Sequence, residues 1–425
     1  MTSYLRGFFI WMIAAFFFLY EFFLRTFVGS VAHQIIPQLH LTVETFALVG
    51  SAYYIAYGVM QIPVGLLVDK FGVKRVMLFA TLMCVLATFL FSHATNFTTA
   101  FLSRFLMGFG SSFAFVCLLV IAVTWFPKKY FGIFAGISQF IGTMGPLLAG
   151  GPLISLMLDL HDTWRTALMD IGFFGVILAL LVLLFVKNKP RDGERVLIFL
   201  KQPETLKVRL MRLMRNKQAW SVAFYSGTLY VSIALLGAIW GTDYLQARCL
   251  SQSIAADTIS FVWLGYALGC PLLGVLSDLS KRRKPVLLAC SVLGLIASIG
   301  ITYFSFTHVV WVYFVLFFML GVAAAGQSVA FAAMSEHVDH STRATGFGLN
   351  NGLITLFTAT VPLLVSYFIN RDSHHHANHL VAHDFIRGFT CMPILFCCSF
   401  VIALIFIRET YCKSQKEIIQ LARPF

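Results

Sequence analysis

Apolar residues in this chain come in long unbroken runs rather than the short amphipathic stripes of a water-soluble fold. Twelve such runs cover about residues 8–31, 45–68, 76–93, 97–125, 131–158, 164–186, 219–245, 258–277, 285–305, 309–335, 346–370 and 384–407. A bilayer core takes roughly 20 apolar residues per crossing helix, and the runs have that scale. The pattern predicts an all-α membrane protein with twelve transmembrane helices. The one long internal polar stretch, 187–218, divides it into an amino-terminal bundle (1–186), a linker loop (187–218) and a carboxy-terminal bundle with a short tail (219–425). In the linker, Val208, Leu210, Leu213 and Met214 alternate with Arg and Lys. That pattern suits either a short amphipathic helix at the inner membrane surface or a solvated tether.

Composition agrees: 59% of residues are hydrophobic and 12% charged, and the mean hydropathy is +0.84. The formal net charge of +13 raises nucleic acid as a partner. The cations, however, sit between apolar runs, as the positive-inside rule expects, so no nucleic acid is predicted. With the amino terminus inside, Lys70, Lys74, Arg75, Lys128, Lys129, the run in 187–217, the cluster 281–284 and Arg343 all fall on the cytoplasmic side. Both termini are therefore expected there. The first run contains Glu21 and Arg25 and is too long for a signal peptide, so it is read as a retained helix. Nine cysteines show no metal-ligand spacing and suit an apolar interior. His374, His375, His376, His379 and His383 crowd one outer loop, but their spacing fits no standard metal site, so no metal or other cofactor is expected.

The chain repeats itself. Gly65-Leu-Leu-Val-Asp69-Lys70-Phe-Gly72-Val-Lys74-Arg75 is echoed by Gly274-Val-Leu-Ser-Asp278-Leu-Ser-Lys281-Arg282-Arg283-Lys284, each after a helix with a Tyr (Tyr57, Tyr266) twelve residues before the Asp. A second echo aligns Gly132, Gly136 and Pro146 with Gly348, Gly352 and Pro362 at one offset. Small residues four apart let helices approach closely, and each proline permits a bend. Two similar six-helix halves in a membrane point to a transporter.

At these residues the chain resembles the major facilitator superfamily over essentially its whole length. The Gly65-to-Arg75 loop is similar to that family's signature between its second and third helices, with Gly274-to-Lys284 as the second copy. Arg104-Phe-Leu-Met-Gly108-Phe-Gly110 resembles its fourth-helix motif. Gly142-Thr-Met-Gly145-Pro146-Leu-Leu-Ala-Gly150-Gly151 resembles the fifth-helix motif of proton-exchanging exporters, with the spacing changed by one residue. The resemblance implies two pseudo-symmetric six-helix bundles working by alternating access. Helices one, four, seven and ten would line a cavity, and two, five, eight and eleven would form the gates. Gating would then rest on Gly65, Asp69, Gly72, Lys74, Arg75, Gly274, Asp278, Pro146 and Pro362. Asp69 is expected at the amino-terminal end of the eleventh helix near Gly346, and Asp278 at that of the fifth near Tyr130. The physical basis is that an anion is stabilised at a helix amino terminus.

Ionisable residues inside a membrane are costly and mark function by default. Glu21 and Arg25, four apart on the first helix, share a face and can pair, and Arg104 comes from the fourth. The second half carries Val231, Leu235 and Phe317 at the corresponding places, so the charge chemistry belongs to the first half. Burial disfavours a charged carboxylate and a nearby guanidinium favours it, so Glu21 can exchange a proton as hydration alternates. Two arginines against one acid leave surplus positive charge for a carboxylate substrate, which guanidinium binds bidentately. A static Glu21–Arg25 pair that only lets the helix tolerate both charges is the competing reading. Asp170, with Arg165 about one turn earlier as its candidate partner, and Asp243 are weaker proton-site candidates. The cavity is expected to include Tyr20, Tyr53, Tyr57, Gln61, Gln139, Tyr230, Trp240, Trp263, Tyr266, Gln327, Asn350 and Asn351. Aromatic walls with a few amides suit an organic solute, while lipid-facing packing and interhelical hydrogen bonds compete for the same residues.

The expected function is a monomeric, proton-coupled secondary carrier in a bacterial inner membrane. It would import a small polar or anionic organic solute: an amino acid, a short peptide, or a carboxylate including a carboxylate siderophore. A proton-exchanging exporter of drugs or metabolites and a membrane sensor on a transporter scaffold are the alternatives. No constellation of a membrane enzyme is present.

Overall fold

The computed structural model describes residues 3–41, 43–149, 163–188, 206–306, 308–373 and 382–412. Among them the chain is helical throughout, as hydrocarbon requires of an open chain: every backbone polar group must find its partner within the segment. The helices are α1 Ser3–Ser30, α2 Ala32–Gln38, α3 Val43–Phe71, α4 Val73–Ser92, α5 Phe97–Ser111, α6 Ala114–Trp125, α7 Phe131–Ala149, α8 Trp164–Phe185, α9 Leu206–Met214 and α10 Lys217–Ser232. They continue as α11 Gly241–Ala247, α12 Gln252–Ser280, α13 Lys284–Tyr303, α14 Trp311–Ala324, α15 Gly326–His337, α16 Arg343–Ser373, α17 Ala382–Phe389 and α18 Cys391–Val401. Eleven stretches among the described residues are long and apolar enough to cross a membrane. The remaining expected span, 131–158, is described as far as Ala149. The fourth and tenth runs each break once, between α5 and α6 and between α14 and α15. The seventh loosens into a π-helical turn at Ile233–Ile239.

Contacts group the chain into two units. One holds the residues up to Pro127 together with Ile141–Arg212 and His340–Gly348; the other holds Lys128–Phe140, Leu213–Asp339 and the chain from Leu349. The first ten residues of α7 thus belong with the second unit, and the start of α16 belongs with the first. Each unit has a dry interior and a greasy outside. Phe173, Ile177, Leu180 and Leu184 form an exposed stripe along α8, and Phe79, Leu82, Leu86 and Leu90 form one along α4. Such stripes are liabilities in water and lipid contacts in a bilayer.

The repeat extends to the backbone. Helices α3 and α12 are each 29 residues long, α4 and α13 each 20, and α6 and α15 each 12. Gly108 lets α5 lie on the α3 backbone at Tyr53, and Gly321 lets α14 lie on α12 at Val262. In both places an added Cβ would overlap main chain. The contacts also correct the alignment of the fifth and eleventh helices. Gly136 packs on the Cys270 carbonyl and Gly348 on the Gln61 carbonyl; Gly274 meets Gly132 and Gly65 meets Ala344. Gly132 therefore corresponds to Ala344 and Gly136 to Gly348, one helical turn away from the pairing read in sequence, and Pro146 and Pro362 are not equivalent. A four-residue slip keeps the same face of a helix outward, so small-residue spacing alone does not reveal it.

A second irregularity lies in the duplicated loops. Lys74 donates through Nζ to the Leu183 carbonyl (2.7 Å), and its backbone N–H donates to Asn188 Oδ1 (2.8 Å). Lys284 makes the same two bonds, to Leu404 (2.7 Å) and Glu409 (3.0 Å). One residue more separates Asp278 from Lys284 than Asp69 from Lys74. The tight turn is made at Gly72 (φ 81) in the first loop, and at Lys281 (φ 53), which tolerates the left-handed conformation, in the second. The inserted residue puts Arg283 where the first half has the buried Val73. Arg283 is 1% exposed and bonds Asp278 (2.5 Å), Ser277 (2.8 Å) and Glu336 on α15 (2.8 Å). Glu336 also accepts from the Thr410 hydroxyl. Burial works against the Arg283 charge, but the carboxylates of Glu336 and Asp278 outweigh it and hold its pKa above the ordinary value.

Two stability predictions arise from this packing. Gly108→Val and Gly321→Val should each lower the apparent unfolding free energy in detergent by about 1–3 kcal/mol. Gly29→Ala, at a position with nothing within 4 Å, should stay within about 0.5 kcal/mol. Arg283→Met strands two buried carboxylates and should cost about 3–5 kcal/mol; adding Glu336→Gln to it should recover much of that loss in the same chemical-unfolding assay.

Candidate functional site

Within the first unit, the side chains of α1, α3 and α5 converge on one buried polar cluster. Glu21 is fully buried, and Arg25, one turn later on α1, grips both its oxygens through Nη2 at 3.0 and 3.1 Å. The Tyr53 hydroxyl from α3 donates to Glu21 Oε2 at 2.8 Å. Arg25 also lies over aromatic faces, 4.2 Å from the Phe22 ring centroid and 4.4 Å from that of Tyr57. Its side chain keeps 16% exposure, and its Nε has no hydrogen-bond partner among the described residues. Aromatic faces stabilise a guanidinium without consuming its N–H donors, so Arg25 retains capacity for a planar oxyanion.

Arg104 is bound to the backbone of α1. It is 1% exposed and donates to the backbone carbonyls of Leu24 (2.6 Å) and Arg25 (3.2 Å), with its guanidinium 4.8 Å from the Tyr53 ring. Two donors are thus spent on α1 itself. The placement ties Arg104 to the Arg25 segment, while its Nε has no hydrogen-bond partner among the described residues. Tyr20 is corrected. Its hydroxyl pairs with Thr88 (3.3 Å) and its ring fills the space left by Gly175 on α8, on another side of α1 from Glu21. Gln61 is buried and donates to the Tyr57 carbonyl of its own helix at 2.9 Å. Arg165 donates to the carbonyls of Ser92 and Ala94 (2.8 and 2.7 Å).

The second unit holds a neutral counterpart. Tyr230 and Tyr266 meet edge to face at 5.6 Å, and the Tyr266 hydroxyl donates to Gln327 Oε1 at 3.1 Å. Trp263 donates its indole N–H to the Gly237 carbonyl (3.0 Å), inside the π-helical turn. Trp240, which ends that turn, packs on Phe385, and its indole nitrogen has no partner among the described residues. Asn350 is fully buried with both amide atoms unbonded among the described residues. Gln139 and Asn351 are buried in the same unit.

The duplicated loops place their acids at helix starts. In the first unit, Asp69 accepts from the backbone N–H groups of Ala344 (3.3 Å) and Thr345 (3.1 Å) and from the Thr345 hydroxyl (2.7 Å). In the second, Asp278 accepts from the N–H groups of Gly132 (3.3 Å) and Ile133 (2.8 Å). These amides are among those a helix start leaves unpaired, and the helix dipole favours the negative charge there. The contacts fall two and one residues before Gly346 and two and three after Tyr130, in keeping with the one-turn realignment. Arg75 is exposed. Pro146 and Pro362 lie inside α7 and α16, and Gly150 and Gly151 are outside the described residues.

Glu336 and Glu409, which complete the Arg283 loop, were not singled out from sequence. Glu336 is a lone acid at the end of an apolar run, and a loop with four consecutive cations elsewhere was the available signal. The loop histidines other than His383 lie outside the described residues.

The Major Facilitator Superfamily profile matches residues 10–248 and again 229–418. A Cupriavidus necator protein described as a probable sulfoacetate transporter, SauU, is 27% identical over 275 residues. That match covers 61% of this chain and 62% of SauU, less than two thirds of its length. GarP of Escherichia coli K12, described as a probable galactarate/D-glucarate transporter, is 26% identical over 391 residues, covering 81% of this chain and 84% of GarP. Among solved structures, the proton:xylose symporter XylE bound to 6-bromo-6-deoxy-D-glucose shares the fold with a TM-score of 0.75 at 13% identity, covering 99% of this chain and 100% of XylE. The duplicated halves, the paired loop aspartates and a profile that matches twice along the sequence lead to one assignment: the chain is a multi-pass membrane protein of the Major Facilitator Superfamily, a family of transporters and not of enzymes.

Proposed function

We propose that this transporter is a proton-coupled importer of small organic anions, hydroxylated carboxylates foremost. The observation that carries the reading is the buried Glu21–Arg25 pair, both carboxylate oxygens held by one guanidinium whose Nε is unspent. Protonating Glu21 removes the charge that occupies Arg25, and a substrate carboxylate can then take its place bidentately. Proton and anion thus bind together and leave together, which is symport by exchange of partners at one cation. Tyr53 holds the acid in either state, and Arg104 keeps the Arg25 turn in position. The second unit offers hydroxyl and amide groups at Tyr230, Tyr266, Gln327 and Asn350. The names of the relatives support the anion: sulfoacetate, galactarate and glucarate all carry carboxylates. The proton-symporter title of XylE supports the driving ion. The setting is a bacterial inner membrane, with the loop aspartates at the cytoplasmic end.

Asp69 and Asp278 act in this reading as cytoplasmic gate contacts, made and broken once per cycle at the starts of α16 and α7. Outward transport is the second reading, favoured by Gly145, which brings α7 onto the α1 backbone at Leu19 as a compact fifth-helix motif would.

Proteoliposomes with an inside-alkaline gradient and labelled galactarate, D-glucarate or sulfoacetate test the proposal. Wild type should accumulate at least one of them, and collapsing the gradient should abolish accumulation. Glu21→Gln should keep exchange of internal for external solute while losing uphill uptake, and Arg25→Ala should lose both. Uphill uptake by Glu21→Gln equal to wild type would remove Glu21 from the coupling. Separately, Asp69→Asn should leave the protein folded and cut uptake at least about tenfold, the worth of a charge-assisted bond to backbone amides. Undiminished uptake would dismiss the gate contact.

A further inference from the structure

The helix that opens the described part of the linker has two faces, one packed on the protein and one largely exposed. On the inner face of α9, Leu213 is buried and Arg209 donates through Nη1 to the Asp69 carbonyl at 3.1 Å. Leu210 and Met214 are half-buried beside them. The outer face carries Lys207, Val208, Met211, Arg212 and Arg215, all exposed. At 3.6 residues per turn these positions fall on one side of a helix and of the turn that follows it. Val208 is 46% and Met211 42% exposed, an odd place for two apolar side chains on a helix that touches water. From Lys207 to Lys217 there are five cations and no acid.

We infer that the outer face of α9 is a binding surface for anionic phospholipid headgroups of the leaflet nearest the Gly65–Arg75 loop. Val208 and Met211 enter the boundary between headgroups and acyl chains, while Lys207, Arg212 and Arg215 extend their stems along it and meet the phosphates. The occupant is a membrane surface rather than an acidic protein segment, because the apolar pair sits among the cations on the one exposed face, as an interfacial helix has it. It is an anionic lipid because Lys207 and Arg215 have no acid beside them on that face among the described residues, and each such charge near a negatively charged leaflet contributes about 1 kcal/mol, or about fivefold in occupancy. Arg212 also reaches Ser341 Oγ at 3.4 Å, so Lys207 and Arg215 are the better probes. Bound lipid therefore steadies the helix whose other side holds the backbone of Asp69. This inference concerns the lipid surface alone and does not depend on the identity of the transported solute.

Hydrogen exchange of the full chain in nanodiscs tests it, comparing phosphatidylcholine alone with phosphatidylcholine mixed with phosphatidylglycerol. Amides of 206–214 should exchange at least about fivefold more slowly in the mixed discs. The difference should shrink in high salt, which screens surface charge. Lys207→Gln/Arg215→Gln should erase the difference while exchange in α8 stays as in wild type, and Val208→Ser/Met211→Ser should weaken protection in both lipids. Equal exchange of 206–214 in the two disc types, or a full lipid effect persisting in the double glutamine variant, would overturn the assignment.

Discussion

Hydrocarbon offers no hydrogen-bond partner, and that one constraint decides where this chain can place charge. Each buried ion of the described residues discussed above has been given partners by the protein itself. Glu21 has Arg25 and Tyr53; Arg104 has two main-chain carbonyls; Arg283 has two acids and a serine. Such arrangements contribute little net stability, because desolvation consumes most of what pairing returns. Their value lies in coupling. Any event that neutralises one member leaves another buried and unsatisfied, and the structure around it must respond.

The two halves answer the constraint differently. Both share the lengths of three helix pairs, the close approaches at Gly108 and Gly321, and an aspartate at a helix start. The first half places its ion pair deep in α1, amid aromatic rings. The second half has an uncharged cluster of tyrosine and amide groups and keeps its buried ions at the loop end: Asp278 on α12, Arg283 just before α13 and Glu336 on α15. A duplicated scaffold has thus been divided between a half with a charged cluster and a half with a neutral one.

Much of this was legible in the sequence. The spans follow from run length, and the repeat from the Gly–Asp–cation loops. The Glu21–Arg25 pair follows from four-residue spacing on one helix. What could not be read depends on facts that spacing does not carry. The alignment of the fifth and eleventh helices slipped by one turn because residues four apart present the same face. Tyr20 was grouped with Glu21 as a neighbour in sequence, yet adjacent helical residues point about 100° apart, and it faces Thr88. Arg104 was read as a proton-coupling and substrate contact; its bonds to main-chain carbonyls of α1 depend on packing between helices that spacing does not carry. Glu336 joins Arg283 across 53 positions of sequence, a distance over which a single chain gives no pairing signal.

The extra residue in the second loop has a mechanical meaning. By shifting one cation from the water side to the inside, it converts a turn held by packing at Val73 into a turn held by ions at Arg283. Charge hydration weakens on heating faster than hydrophobic packing grows, so ionic struts keep their hold where oily ones level off. The two loops, although copies of each other, should therefore soften at different temperatures, with the second remaining stiff after the first has begun to yield.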